Sequence, residues 1–77
     1  MEIKIFGPGC AKCHQAEKVV KEAVAESGAT AEVIKVGDML EIAAAGIMVT
    51  PAVMVDGKIM SLGKVPAKAE VLSWLGR

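Results

Sequence analysis

The period at which apolar side chains recur changes along the chain, and those changes mark out its elements. Ile3, Ile5 and Phe6 make Glu2 to Phe6 a strand with apolar surface for both faces, as in a strand buried between layers. Gly7-Pro8-Gly9 breaks that pattern and predicts a loop. From Ala11 to Ser27, the residues Ala16, Val19, Val20, Ala23 and Val24 recur at spacings of three and four, the period of a helix with one buried stripe. Lys18, Lys21, Glu22 and Glu26 take the other face, Glu17 and Lys21 form an i,i+4 pair in the favourable order, and Ser27-Gly28 supplies the stop.

Ala31 to Val36 reads as a second strand, and Glu32 and Lys35 mark it as an edge. Asp38 with Glu41 three residues later has the spacing of a capping box and opens a short helix through Ala45, ended by Gly46. Ile47 to Thr50 then leads into Pro51. Ala52 to Val55 and Lys58 to Leu62 flank Asp56-Gly57, whose positive-φ preference predicts a tight hairpin. Gly63 breaks the last strand, Pro66 suits a first helical turn, and Val71, Leu72 and Leu75 give a terminal amphipathic helix ending near Gly76. The order is strand, helix, strand, helix, strand, strand, helix. Two strands joined by a helix pair in parallel, and the hairpin adds an antiparallel pair, so the class is α/β with a mixed sheet. Repeats, low-complexity segments and linkers are absent, giving one domain over residues 1–77.

Composition narrows the function. In 77 residues, 53% hydrophobic, there is room for one modest core, and nine acidic residues balance nine basic ones. That neutrality gives no electrostatic reason to expect nucleic acid or an anionic membrane as partner, and Phe6 and Trp74 are the only aromatics available for stacking on bases. No run approaches the ~18 apolar residues of a membrane helix. The start of the chain lacks the basic segment and apolar stretch of a signal peptide, which points to the cytoplasm.

Both cysteines, Cys10 and Cys13, lie where the first strand gives way to the first helix. A helix's first turn carries unpaired N–H groups that stabilise negative charge. With Cys10 as the N-cap, its sulfur would be held as a thiolate, and Cys13 would lie at the third helical position, near enough to close a small disulfide ring. A C-x-x-C in a cytosolic chain is more often catalytic or metal-binding than a structural staple. Thiol–disulfide exchange is the chemistry this placement suggests, with Cys10 attacking and Cys13 resolving. The main rival is carriage of a soft metal, copper(I) or zinc, on the same two thiolates. Cys10 to His14 also spells the C-x-x-C-H of c-type haem attachment, but that needs an exported chain and a second axial ligand, and His14 is the only histidine. Two inert buried cysteines are the third alternative. His14 is expected to face solvent, Met39, Met48, Met54 and Met60 to fill core gaps, and Trp74 to pack.

The element order, Gly7-Pro8-Gly9-Cys10-x-x-Cys13, Val49-Thr50-Pro51-Ala52, Val55-Asp56-Gly57 and Gly63 together resemble the thioredoxin fold, and in length the small glutaredoxin-sized, redox-active disulfide proteins of that family. The resemblance spans essentially the whole chain. It implies a three-layer α/β/α domain with a four-stranded mixed sheet, acting as a thiol–disulfide oxidoreductase without a bound cofactor or metal. A protein disulfide is the implied substrate, an upstream reductase the electron donor, and a monomer the implied state. The residues alone leave Thr50–Pro51 open between cis and trans; the resemblance implies cis, with Thr50 hydrogen-bonded to an extended partner segment. Pro8, Val49 and Ile47 would form the apolar rim of a shallow docking surface with Thr50 and Pro51, and Gly9 and Lys12 would modulate the dithiol. The chain departs from the family at Gly9, where thioredoxins carry Trp, and at Lys4, where they carry a buried acid. Lys64-Val65 after Gly63 replaces the second glycine and the acid with which glutaredoxins hold glutathione, and Ala11-Lys12 matches neither family's dipeptide between the cysteines.

Overall fold

The computed structural model describes residues 1–76. Its elements are β1 (Glu2–Phe6), α1 (Ala11–Ser27), β2 (Glu32–Val36), α2 (Met39–Ala44), β3 (Ala52–Val55), β4 (Lys58–Leu62) and α3 (Lys68–Trp74). The sheet runs β2-β1-β3-β4, with β1 and β2 parallel and the other two pairings antiparallel. As the charges of Glu32 and Lys35 predict, β2 is an edge.

Strand alternation sorts the core into two layers. Ile3 and Ile5 of β1 and Val53 of β3 face one way, onto Ala16, Val20 and Ala23 of α1 and Val71 of α3. Phe6 and Ala52 face the other way, onto Ile42 of α2 and Ile47 just after it. The register pairs Ile5 with Val53 and Phe6 with Ala52, so each layer takes matched residues from neighbouring strands. Two helices on one face and one on the other give the three-layer α/β/α architecture of the thioredoxin fold. Among the described residues, no helix is long and apolar enough to cross a membrane.

The turns follow their residues. Asp56 and Gly57 both take positive φ, 49° and 83°, which is the twist that antiparallel neighbours require of a two-residue hairpin. One residue of β4, Met60, is passed over in the register between Val53–Ser61 and Met54–Ile59, a bulge on the second edge strand. Gly28 closes α1 in the left-handed region.

Three local expectations change. Asp38 caps α2 by accepting from the Leu40 N–H at 2.8 Å, but the reaching-back carboxylate of a capping box is found on α3 instead. There Glu70 Oε1 accepts from the Ala67 N–H at 3.2 Å, while an alanine at the cap cannot reciprocate. Pro66 is buried and lies ahead of the cap residue Ala67, outside the first helical turn. Met39 and Met48 fill no core gap: they are 62% and 92% exposed. A short α2 leaves its first residue and the segment after Ile47 in solvent.

Candidate active site

Four loops leave the same end of the sheet. Phe6 pairs with Ala52, so the segment following Phe6 and the segment preceding Ala52 start side by side. Gly7 donates its N–H to the Val36 carbonyl at 2.9 Å, which ties the first loop to the end of β2. Gly63 donates its N–H to the Pro51 carbonyl at 2.9 Å, which ties the end of β4 to the third loop. The dithiol and Thr50–Pro51 are thus brought to one end by strand register alone.

Cys10 is the N-cap of α1, with extended backbone (φ −70°, ψ 168°), and its carbonyl accepts the first helical bond, from His14 at 3.0 Å. Its Sγ accepts from the backbone N–H of Cys13 at 3.3 Å. This is the geometry of a capping hydroxyl or carboxylate, with sulfur in that place. No acidic side chain lies in the first turn of α1 to oppose negative charge there.

The two thiols are free and sit in opposite environments: Cys10 is exposed and Cys13 is fully buried. A hydrogen bond from the Cys13 side chain, then the Cys13 backbone N–H and more weakly the Lys12 N–H, lower the Cys10 pKa below that of an ordinary thiol. Burial first, and the hydrogen bond and charge of Cys10 after it, push the Cys13 pKa up. The pair is therefore an exposed sulfur ready to ionise, backed by a hidden one that holds its proton.

The remaining expected site residues fall around this pair. Pro8 and Gly9 are exposed in the loop before Cys10, and Gly9 has φ 99°, a conformation glycine adopts freely. Lys12 is exposed on the first turn. Val49 is 54% exposed, Thr50 is half-buried and Pro51 is buried, and the Thr50–Pro51 peptide bond is cis. Lys4 lies on the α2 face of the sheet, half-buried, with its Nζ 3.7 Å from Glu2, toward the opposite end of β1 from the dithiol. His14 is exposed, as expected.

Ile47 does not belong to the rim. It is 4% exposed, packs with Phe6 and Ile42, and donates its N–H to the Ile42 carbonyl at 3.2 Å. Its neighbour Met48 takes the exposed place, because adjacent residues after a helix end point to different sides. Two glycines were not legible as site residues. A Cβ on Gly7 would lie 2.3 Å from the Cys13 Sγ, and one on Gly63 would lie 2.7 Å from Val49 Cγ1. In the sequence both read as breaks between elements and as matches to the family's motifs, with no role at the site.

Comparison with known proteins agrees with this geometry. Residues 1–76 match the family model described as a thioredoxin domain. A thioredoxin of Methanothermobacter thermautotrophicus is 42% identical over 71 residues, covering 92% of each chain. A thioredoxin of Methanocaldococcus jannaschii is 48% identical over 69 residues, covering 90% of this chain and 79% of the relative. The chain belongs to the thioredoxin family, a family of thiol–disulfide oxidoreductases.

Proposed function

We propose that this protein exchanges its Cys10–Cys13 dithiol with a disulfide of a partner protein, in the cytoplasm, through a mixed disulfide. The observation that carries the reading is the Cys13 N–H aimed at the exposed Cys10 sulfur, with the second thiol buried behind it. The Cys10 thiolate attacks one sulfur of the partner; the partner's S–S bond breaks and its other sulfur leaves as a thiolate. Cys13 then loses its proton and attacks the Cys10 sulfur. The Cys10–Cys13 bond forms, the intermolecular bond breaks, and the partner leaves as a dithiol two electrons richer. An upstream reductase returns those electrons. No cofactor is required, since the dithiol itself holds the electron pair.

Docking is assigned to Pro8, Val49, Thr50 and Pro51. An extended partner segment beside Thr50 would find main-chain groups to pair with, while Val49 and Pro8 cover apolar side chains next to the disulfide. Two surface clefts, one on α1 at His14 and Lys18 and one between α2 and the sheet at Lys4 and Phe6, are lined without a cysteine, and the exposure of Cys10 favours a flat partner surface over a small enclosed substrate.

The test is the Cys10–Cys13 equilibrium in graded dithiol buffers, in metal-free solution, read by mass after alkylation. A reversible two-electron transition between about −270 and −120 mV is expected. Thiols that stay reduced throughout, or that oxidise only between molecules, would overturn exchange and move the reading to copper(I) or zinc carriage. Among the described residues no group of three or more His, Cys, Asp or Glu side chains is arranged to hold a metal, so such a site would rest on the two thiolates.

A further inference from the structure

We propose that Gly7 is a positioning residue for the resolving step: its missing side chain leaves the space in which the Cys13 sulfur sits facing Cys10. The proposal rests on the exchange reading above.

The argument begins with what Gly7 is not needed for. Six other glycines take positive φ, where a side chain is strained; Gly7 is not among them. A left-handed backbone therefore does not account for a glycine here. Contact does. A Cβ at Gly7 would stand 2.3 Å from Cys13 Sγ and 3.0 Å from Cys13 Cβ. Unbonded carbon and sulfur settle no closer than the ~3.5–4.0 Å of ordinary van der Waals contact, so a methyl would sit more than about 1 Å too deep. Gly9 gives the opposite case two residues on: its φ is positive and a Cβ there would meet nothing within 4 Å.

Residue 7 is tethered to the sheet: its N–H is held by the Val36 carbonyl at 2.9 Å, directly after the last β1–β2 register pair. Cys13 is also confined, being fully buried at the start of α1. The lightest element that can shift is the Cys13 sulfur, and any shift away from Gly7 changes its approach to Cys10. Misplacing a reacting atom by about 1 Å can cost on the order of 100-fold in rate. Attack by Cys10 on a partner needs the exposed sulfur and its capping N–H; a weaker hydrogen bond from the Cys13 thiol lowers the thiolate fraction but raises its nucleophilicity, so that step changes little. Resolution needs the Cys13 sulfur itself in place, so the two half-reactions respond differently.

The experiment uses the reduced full chain and a symmetric nitroaryl disulfide whose thiolate is coloured. Cys10 attack releases one coloured equivalent and leaves a nitroaryl mixed disulfide; Cys13 attack on the Cys10 sulfur releases the second. In Gly7→Ala the first phase should keep its rate within about twofold, and the second should slow by at least about tenfold. Equal slowing of both phases, or of neither, would overturn the proposal. Failure of the exchange reading looks different: the wild type itself would stop after one equivalent, or carry two nitroaryl adducts by mass. Should Gly7→Ala fold poorly, Gly7→Ala is made in a Cys13→Ala background. Loss of the sulfur removes the closest contact, so the methyl should lower the melting temperature far less there than in the wild type. An equal drop in both backgrounds would overturn the steric claim.

Discussion

The backbone N–H of Cys13 meets the sulfur of Cys10 at 3.3 Å across the first turn of α1, so the residue proposed to resolve the exchange also favours the thiolate form of the sulfur proposed to attack. The Cys10 pKa is lowered by the Cys13 side chain and N–H. The folded chain therefore gives up this proton at a lower pH than the unfolded chain. Stability of the reduced protein should rise as pH climbs from the folded Cys10 value to the ordinary thiol value, and be lost as pH falls back through the folded value. Urea midpoints measured across that range with excess reductant should show the rise in wild type and a flat profile in Cys10→Ser. A flat wild-type profile would mean that the cap does not favour the thiolate.

Removal of the buried thiol should arrest exchange halfway. Cys13→Ser should accumulate a mixed disulfide through Cys10, visible as a partner adduct on non-reducing gels, and Cys10→Ser should not. Equal trapping by both variants would contradict the assignment of roles.

Ile47 and Met48 are adjacent and should behave as opposites. Ile47→Ala opens a gap between Phe6 and Ile42 and should cost about 2–5 kcal/mol in chemical denaturation. Met48→Ala removes a 92% exposed side chain and should leave stability within about 0.5 kcal/mol. It should instead raise KM for a protein disulfide while leaving reaction with a small aromatic disulfide unchanged.

Glu17 links α1 to β2. Its carboxylate lies 2.9 Å from Lys21 and 3.5 Å from Lys35, and the hydrogen bond from Lys21, reinforced by both charges, lowers its pKa. The stabilisation is present above the unfolded carboxylate value and is lost as pH falls through the folded one. Glu17→Gln should cost between about 0.3 and 1 kcal/mol at neutral pH. The gap between variant and wild type should close in acid and shrink in high salt.

The elements were legible because their signals are local. The three-and-four spacing of Ala16, Val20 and Ala23 needs no knowledge of what they pack against, and Asp56-Gly57 states its turn outright. Cys10 was legible as a cap for the same reason: a polar side chain between a strand and an apolar helical stripe has few other places to be. Ile47 and Met48 were not separable, since both are large and apolar and only the angle at which α2 ends decides which is buried. The α2 cap shows a similar limit. Asp38 and Glu41 have capping-box spacing, yet the carboxylate that reaches back is Glu70, beneath an alanine that carries no signal. Gly7 was hidden for a different reason. A glycine in a loop announces freedom of the backbone, and nothing in a sequence distinguishes that from a glycine kept small by a sulfur six residues later.

The hairpin turn and the chain's first residues form the other end of the molecule. Glu2 and Asp56 exchange hydrogen bonds there, at 2.7 and 2.8 Å, and Met1 accepts from Glu32 at 2.9 Å. The five residues of β1 then span about 17 Å before the chain reaches the cysteine loop. A residue added ahead of Met1 thus emerges at the pole opposite the reactive sulfur. A copy fixed to a bead or electrode through that residue turns Cys10 toward the liquid, with the whole length of the sheet standing between the anchor and the incoming disulfide.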